Sequence, residues 1–361
     1  MPSLHSWNRA FYVTFLALPL GLRAERAYRA MPALAPGPVA GPLPSLSIVV
    51  PARNEERNLS RLLPTLQATA YPGPWEIIVV DDGSTDRTAQ VAAQHGARVL
   101  RVDHLPPGWK GKPHACHQGA LAAQGEWLLF TDADTLHAAD GPARAVAHAL
   151  RHGLDGLSLL LPQECHGVGD RLALMAAYAG LFAGVDPQDM LLNGQYILLR
   201  RSVYEDSGGF ATVSEEVLED VALGQWLRRL GYRVPMVRDG NAARVHMYRN
   251  GRDLWHGMNR LGAESLRWSG PRSLFSVLFI TGLMSPLVVL AGVLTGNLPW
   301  RRLPTAWSAA ALSAVPWAAR FGDRRWALLA PLGALFVQVA AVWGLLNRLL
   351  GRGVRWKGRR V

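Results

Sequence analysis

The chain has 361 residues, 38 Lys+Arg against 27 Asp+Glu, 49% hydrophobic residues and a formal net charge of +11. That length holds one large domain with an appendage, or two domains, and the charge calls for an anionic partner such as a nucleotide phosphate or an anionic lipid. Two cysteines, Cys116 and Cys165, make neither a disulfide framework nor a zinc site.

In chain order, "FYVTFLALPLGL" (11–22) is short for a crossing, which needs roughly 20 residues. No small-residue cleavage site follows it, so an N-terminal anchor is expected rather than a signal peptide. "MPALAPGPVAGPLPS" (31–45) reads as a Pro/Gly-rich linker. "SLSIVVPA" (45–52) is an apolar, β-branched run and predicts a buried strand, and 58–69 has helical apolar spacing. "WEIIVVDDG" (75–83) predicts a second strand ending in acids. A helix follows, with Ser84, Thr85 or Asp86 as N-cap. "ARVLRVD" is a third strand, "KPHACHQGALAAQ" a helix, and "EWLLFTDAD" (126–134) a fourth strand ending in acids.

Strands alternating with helices predict an α/β domain with a mostly parallel sheet covered on both faces. Ligands of such sheets bind beyond the carboxyl ends of the strands, so Asp81-Asp82 and Asp132-Asp134 are expected to line one crevice. No 20–50-residue repeat and no glycine-rich dinucleotide fingerprint is present, which argues against a dehydrogenase. On a strand, Asp132 and Asp134 share a face, and two hard oxygen ligands suit Mg²⁺ or Mn²⁺ carrying a diphosphate. Asp-rich turns carry the same D-x-D pattern.

Beyond residue 250 the composition changes. "RNGRDLWHGMNRLGAESLRW" predicts an amphipathic basic helix of the kind that lies on a membrane surface. Three apolar runs follow, at 274–294, 303–321 and 326–346, the second interrupted by Pro316. A basic tail, "RLLGRGVRWKGRR", closes the chain. Basic tails prefer the cytoplasmic side, so with the α/β domain on that side too an even number of these segments is expected to cross. Segment 303–321 is the weakest span, although Pro286 could instead fold 274–294 into a hairpin.

"VVPARNEE" (49–56), "EIIVVDDGSTDRT" (76–88), "LLFTDADT" (128–135) and "EEVLEDVALGQWLRRLGYRV" (215–234) occur in that order. Together they resemble a family 2 glycosyltransferase of the GT-A fold, over roughly residues 45–250. "GWKGK" and the basic tail after apolar helices are similar to the membrane-bound branch that glycosylates carotenoid- or hopanoid-type lipids. The resemblance implies a GT-A (Rossmann-like) catalytic domain at 45–250. It follows an N-terminal anchor and linker at 1–44. An interfacial helix at 251–273, transmembrane helices at 274–349 and a tail at 350–361 complete the chain. It implies a multi-pass protein of the cell membrane whose catalytic domain is cytoplasmic.

The resemblance also implies roles. Pro51, Arg53 and Glu55 line the nucleotide site, and Asp82 reads base and ribose. Asp132 and Asp134 form the site for Mg²⁺ or Mn²⁺ and diphosphate, and a late histidine, here His246, can join it. Asp220 is the base of an inverting transfer, taking the acceptor's proton as its oxygen attacks the anomeric carbon. An acidic helix N-terminus complementing the macrodipole would also place Glu219-Asp220 there. Gly194 and Gln195 in "NGQYILLRR" border the acceptor, though Gln195 also suits a structural strand start.

The chain holds three lysines, Lys110, Lys112 and Lys357. Two of them fall in "GWKGK", in the loop after the third strand, at the edge that carries the acids. An ammonium there can meet a phosphate as a point charge, and Lys112 opens a helix whose N–H groups favour anions. The stretch is therefore expected to form a lid over the sugar diphosphate, with Lys112 the principal contact, Lys110 secondary, and Trp109 stacking on sugar or lipid. "ESLRW" (264–268) keeps Arg267-Trp268 of the polymer-binding Q-x-x-R-W motif but begins with Glu264.

The expected activity is therefore metal-dependent transfer of a hexose, from UDP-glucose, to a membrane lipid such as a carotenoid or hopanoid derivative. A polysaccharide or polyprenyl-phosphate sugar synthase and an inactive membrane scaffold are the alternatives. Nucleic acid is not an expected partner, because the basic residues cluster near apolar helices and no binding module is visible.

Overall fold

The computed structural model describes residues 4–37, 39, 41–185, 192–268, 270–351, 355–356 and 359–360, with side chains for 7–37, 39, 41–185, 192–262 and 270–351. The strands that matter are β1 (Leu46–Ala52), β2 (Trp75–Asp81), β3 (Arg98–Arg101), β4 (Trp127–Thr131), β5 (Thr135–His137), β6 (Gly156–Leu160), β7 (Tyr196–Arg200), β8 (Met236–Arg238) and β9 (Ala243–Val245). The helices are α1 (Leu4–Thr14), α2 (Ala17–Ala30), α3 (Glu56–Gln67), α4 (Thr88–Gln94), α5 (Gly111–Ala122), α6 (Gly141–Arg151), α7 (Val168–Gly184), α8 (Arg201–Ser207), α9 (Glu219–Arg229), α10 (Gly251–Trp268), α11 (Ser273–Leu294), α12 (Arg302–Arg320) and α13 (Ala330–Leu349). They fall into two compact units. One is Met31–Glu164 with Met190–Met247; the other is Met1–Ala30 with Cys165–Asp189 and Tyr248–Val361.

The first unit is built on a seven-stranded sheet in the order β3-β2-β1-β4-β7-β6-β8. β3, β2, β1 and β4 run parallel, as the alternation of strands and helices predicts. β7 runs antiparallel to both β4 and β6. Its register sets Tyr196 against Thr131, so the residues just before β7 lie at the carboxyl edge of β4. The order of strands reverses between β1 and β4, the place where open α/β sheets bind ligands. Ile48, Val50, Val79 and Leu129 are fully buried, and α3 adds Leu59, Leu62, Leu63 and Leu66, spaced as one helix face. Burying each of these side chains contributes roughly 1.5–3 kcal/mol. Pro51, which has no N–H to give, sits where β1 has already stopped pairing with β4 at Val49↔Phe130.

The segment read as a linker is partly a strap on this unit. Leu34 N–H donates to Arg238 O (2.9 Å), and Arg238 N–H donates to Pro32 O (2.8 Å). Those bonds occupy the outer edge of β8, whose backbone would otherwise be unpaired. Leu34 is buried in the core.

The second unit is helical. The sequence reading keeps 45–250 in one domain, but Cys165–Asp189 leaves it and clusters here. The apolar residues of α7, "LALMAAYAGLFAG", are not confined to one stripe, and helices cover it on several sides. The N-terminal run 11–22 is not one helix: the chain breaks at Phe15-Leu16 between α1 and α2. α11 and α12 are continuous through Pro286 and Pro316. At Pro286 the carbonyl left without its helical partner, Gly282 O, accepts from Ser285 Oγ (2.8 Å), so no hairpin forms there. Among the described residues, two helical stretches are long and apolar enough to cross a membrane: Gly270–Leu294 and Arg324–Leu349. The 303–321 segment is not one of them.

α13 turns the usual order of a soluble helix inside out. Ala330, Gly333, Ala334, Ala340 and Gly344 are buried, while Leu332, Leu335, Val339, Val342, Leu346 and Leu349 form an exposed stripe at helical spacing. α10 uses part of its apolar face within the helical unit. Its apolar residues Leu254 and Met258 are buried and the helix packs on α13, while Leu261 is exposed. Glycine makes that approach possible, since a Cβ on Gly344 would stand 2.1 Å from Asn259 O. With its amide turned to satisfy both neighbours, Asn259 donates to Ala340 O (2.6 Å) and accepts from Trp255 Nε1 (2.9 Å). The side chains of Glu264, Arg267 and Trp268 in "ESLRW", and those of the tail from residue 352, lie outside the described residues.

Candidate functional site

Two loops leave the carboxyl ends of β1 and β2 and run together. Arg53 Nη1 donates to Asp82 O and to Gly83 O (3.3 Å), and lies 4.0 Å from the Asp82 carboxylate. Asn54 N–H donates to Ser84 Oγ (2.9 Å), and its Oδ1 accepts from Thr85 N–H (2.8 Å). Glu55 N–H donates to Thr88 Oγ1 (2.8 Å), and the Glu55 carboxylate accepts from Asn58 Nδ2 (2.6 Å). Glu56 pairs with Arg87. Pro51, Arg53, Glu55 and Asp82 are thus gathered at one corner, with Glu55 and Asp82 buried. Asp81 is a different kind of acid. It is 1% exposed and accepts from Ser84 N–H (2.9 Å), which shapes the loop.

Asp132 and Asp134 are not on a strand. β4 ends at Thr131, and Thr135 N–H donates to Asp132 O (3.2 Å), closing a tight turn. The Thr135 hydroxyl donates to the same carbonyl (2.7 Å). Ala133 between the two acids is buried, while both acids are partly exposed. The turn rests on His137, whose Nε2 lies 3.1 Å from Thr131 Oγ1 and 3.3 Å from Thr135 Oγ1. Burial pushes the His137 imidazole down to about 3, so it stays neutral near pH 7. His246 N–H donates to Asp134 O (2.9 Å), which sets that histidine beside the turn.

Lys112 joins this turn to a helix far away in sequence. Its ammonium is 2.7 Å from Asp132 Oδ1 and 3.0 Å from Glu219 Oε1. It is also 3.5 Å from Gly194 O. Burial works against its charge, but Asp132 and Glu219 outweigh it and hold the group well above the ordinary lysine range. Glu219 is 7% exposed. Burial raises its carboxyl above the usual range, while Lys112 pulls it back.

Asp220 follows Glu219 in the first turn of α9. Its Oδ2 accepts from Gly194 N–H (2.7 Å) and its Oδ1 from Val221 N–H (2.9 Å). A Cβ at 194 would stand 2.9 Å from Lys112 Nζ and 3.0 Å from Asp220 Oδ2, so a larger residue there would press on both charged side chains. Gln195 is turned inward: it is 4% exposed, and its side-chain oxygen accepts from Asn193 Nδ2 (3.1 Å) and Gln163 Nε2 (3.3 Å). That favours its reading as a strand-start residue. The loop before α5 is fastened. Lys110 N–H donates to Ser214 O (2.7 Å), and Trp109 stacks on His117 with ring centroids 5.2 Å apart.

Sequence reading thus identified most of the residues gathered at this edge. It missed Glu219 as the partner of Lys112 and Asn54 as the link between the two loops. A lysine-poor chain with an acid pair at a helix start was the available hint for the first. An asparagine directly after a strand-end arginine was the hint for the second.

Residues 47–219 match the model of glycosyl transferase family 2. The 4,4'-diaponeurosporenoate glycosyltransferases of two Staphylococcus aureus strains, bovine RF122 / ET3-1 and USA300, are each 32% identical to this chain over 190 residues, 50% of this chain and 50% of the relative. The chain therefore spans about half the length of those relatives. Among solved structures, a mannosyltransferase from Pyrobaculum calidifontis in complex with GDP-Man and Mn2+ is similar in fold. Its TM-score is 0.60 at 20% identity, over 94% of this chain and 99% of that one.

Proposed function

We propose that the chain, whose residues 47–219 match the glycosyl transferase family 2 model, is a metal-dependent, inverting hexosyltransferase. It moves one sugar from UDP-glucose to a membrane-resident lipid of the carotenoid type. The observation that carries this reading is the meeting of Asp132, Glu219 and Gly194 on one ammonium, with Asp220 held 2.7 Å from Gly194 N–H, at the carboxyl edge of the sheet. Those residues come from four separate motifs, and a sheet core alone does not need them together.

The site suits a hard divalent cation. Asp132 and Asp134 offer carboxylate oxygens from one short turn, and a cationic group already stands at Asp132. His246, beside the turn, is a further candidate. Mg²⁺ or Mn²⁺ held there would screen the charge that develops on the leaving diphosphate. Arg53, Glu55 and Asp82 hold the base and ribose, and Lys112 meets the phosphates. Where the acceptor is a hydroxyl, Asp220 accepts its proton as the oxygen bonds to the anomeric carbon; a carboxylate acceptor attacks already deprotonated and needs no base. The bond from that carbon to the diphosphate breaks, and the electron pair leaves with the diphosphate.

The acceptor reading draws on two sources. The Staphylococcus aureus relatives are named for 4,4'-diaponeurosporenoate, a carboxylate by its name. The exposed apolar stripe of α13 and the long apolar α11 fit lipid as solvent better than water. A protein anchored in a bilayer reaches lipids with a terminal hydroxyl or carboxyl group most directly. The test supplies detergent-purified protein with labelled UDP-glucose, Mg²⁺ or Mn²⁺, and lipids extracted from the host. Label is expected in a singly glycosylated lipid. Label only in long water-soluble polymer would overturn the reading in favour of a synthase.

A further inference from the structure

We infer that Lys112 is the resident counter-cation of the Asp132–Asp134 turn, displaced from Asp132 when a divalent cation binds and retained beside the base by Glu219. The inference rests on the reading of that turn as the metal site.

The first argument is occupancy. An ammonium has three N–H donors and no acceptor. Here three oxygens surround it, those of Asp132, Glu219 and Gly194, at 2.7, 3.0 and 3.5 Å. A small oxygen cage of this kind resembles the surroundings of a hard cation. A second cation at Asp132 would stand a few ångström from the ammonium. Repulsion at that range exceeds thermal energy several-fold, even at the effective dielectric of a protein surface.

The second argument is retention. Lys112 sits near the start of α5 on a flexible four-carbon stem, so its head can leave Asp132 without any movement of the backbone. It cannot cheaply leave Glu219. That carboxylate is nearly buried, and burial penalises its charge unless a cation stays close. Glu219 is also the residue beside Asp220, whose Oδ2 is fixed by Gly194 N–H. A lysine released toward Glu219 therefore remains between the metal turn and the base and can meet an incoming phosphate. Glu219 is in this account a positioning residue.

The two partners then act on metal affinity with opposite signs. Lys112→Met removes a competing charge. Glu219→Gln removes the alternative partner and leaves the ammonium committed to Asp132. A purely structural role for the pair predicts losses in both variants.

The test measures binding of Mn²⁺ alone, without nucleotide, to the full-length protein in detergent, from the loss of the free-ion electron paramagnetic resonance signal. Lys112→Met is expected to bind Mn²⁺ at least about tenfold more tightly than wild type, and Glu219→Gln several-fold more weakly. Lys112→Gln, which keeps a hydrogen-bonding head without the charge, should share the sign of Lys112→Met and serves if the latter fails to fold. Unchanged or weaker binding in the uncharged Lys112 variants, or a shift of the same sign in the Glu219 variant, would overturn the exchange. Asp134→Ala separates the two levels of the argument. If it abolishes binding in every background while the signs above fail, the metal reading stands and the exchange falls. If Mn²⁺ binding survives Asp134→Ala unchanged, the metal site itself is misplaced and both readings fall.

Discussion

Arg53 through Glu56 and Asp82 through Thr88 are tied to one another by a series of short hydrogen bonds between backbone and side chain. At the other end of the same edge, Asp132, Lys112 and Glu219 meet through charge, with one side chain serving both acids. The first pair of loops is fixed before any ligand arrives, because most of its bonds use backbone groups that no ligand replaces. The second arrangement offers charges that a metal ion and a diphosphate can take over. A nucleotide-sugar site of the kind proposed, with a rigid base and a charged, departing phosphate, would be served by both. Substitutions in the ionic half should change ligand affinity and rate, whereas those in the laced half should act through loop shape.

The largest effect is expected at Asp220, the proposed base. Asp220→Asn should lower transfer by about 10²–10⁴ while leaving donor binding intact, the range for loss of a general base from a hydroxyl acceptor. Single-turnover transfer and nucleotide binding, measured side by side, check this. A loss below about tenfold would mean that the acceptor arrives already deprotonated, as a carboxylate does. Equal loss of donor binding and transfer would move Asp220 to the nucleotide side.

The next effect concerns the turn beneath the acids. His137 is held to about 3 when folded, against an ordinary value of 6.5. Below pH 6.5 the unfolded chain takes up a proton that the folded chain refuses. Stability present above that pH is therefore lost as pH falls from 6.5 toward 3, at about 1.4 kcal/mol per pH unit for one proton. His137→Gln should flatten this part of the profile of denaturation midpoint against pH. An unchanged slope would show that the histidine is charged, or solvated, in the fold.

How much of this could be read beforehand depends on the range of the cause. The strands around β1 were legible because a strand buried on both faces is an unbroken apolar run. The acids at their ends were legible because ligands of such sheets bind there. The D-x-D turn was misread as strand, since the Thr135 bond that folds it is local but invisible in a pattern of apolar residues. The pairing of Lys112 with Glu219 joins the start of α5 to the start of α9, far apart in the chain, which no local spacing encodes. The departure of α7 to the helical unit was hidden for the opposite reason. Its residues are apolar on several sides, and any core would accept them.

A smaller effect tests the ionic half directly. Lys112→Ala should weaken nucleoside diphosphate about tenfold, as expected for one lost charge contact near a protein surface, and free nucleoside hardly at all. Calorimetric titration with both ligands, in the presence of metal, measures the difference. Equal losses would place Lys112 outside the phosphate site and leave it only its bonds to Asp132 and Glu219.

The smallest effect belongs to the laced loops and asks what fastens them. Asn54 has φ 53°, in the left-handed region that asparagine tolerates better than most side chains. The same side chain accepts from Thr85 N–H. Conformation and hydrogen bond are therefore both lost in Asn54→Ala, at a combined cost of about 1–2 kcal/mol. Asn54→Gly keeps the backbone conformation and loses only the bond, so it should cost less than about 1 kcal/mol. Because Arg53 and Glu55 flank this position, a loosened loop should raise the donor KM several-fold in the alanine variant and leave kcat nearly unchanged. The glycine variant should lie close to wild type. Donor KM and thermal midpoint for both variants decide the matter. If glycine is as damaging as alanine, the Oδ1 bond to Thr85 does the fastening. If kcat falls with KM unchanged, the loop acts on the chemistry, and the division between a preformed half and an exchangeable half is wrong.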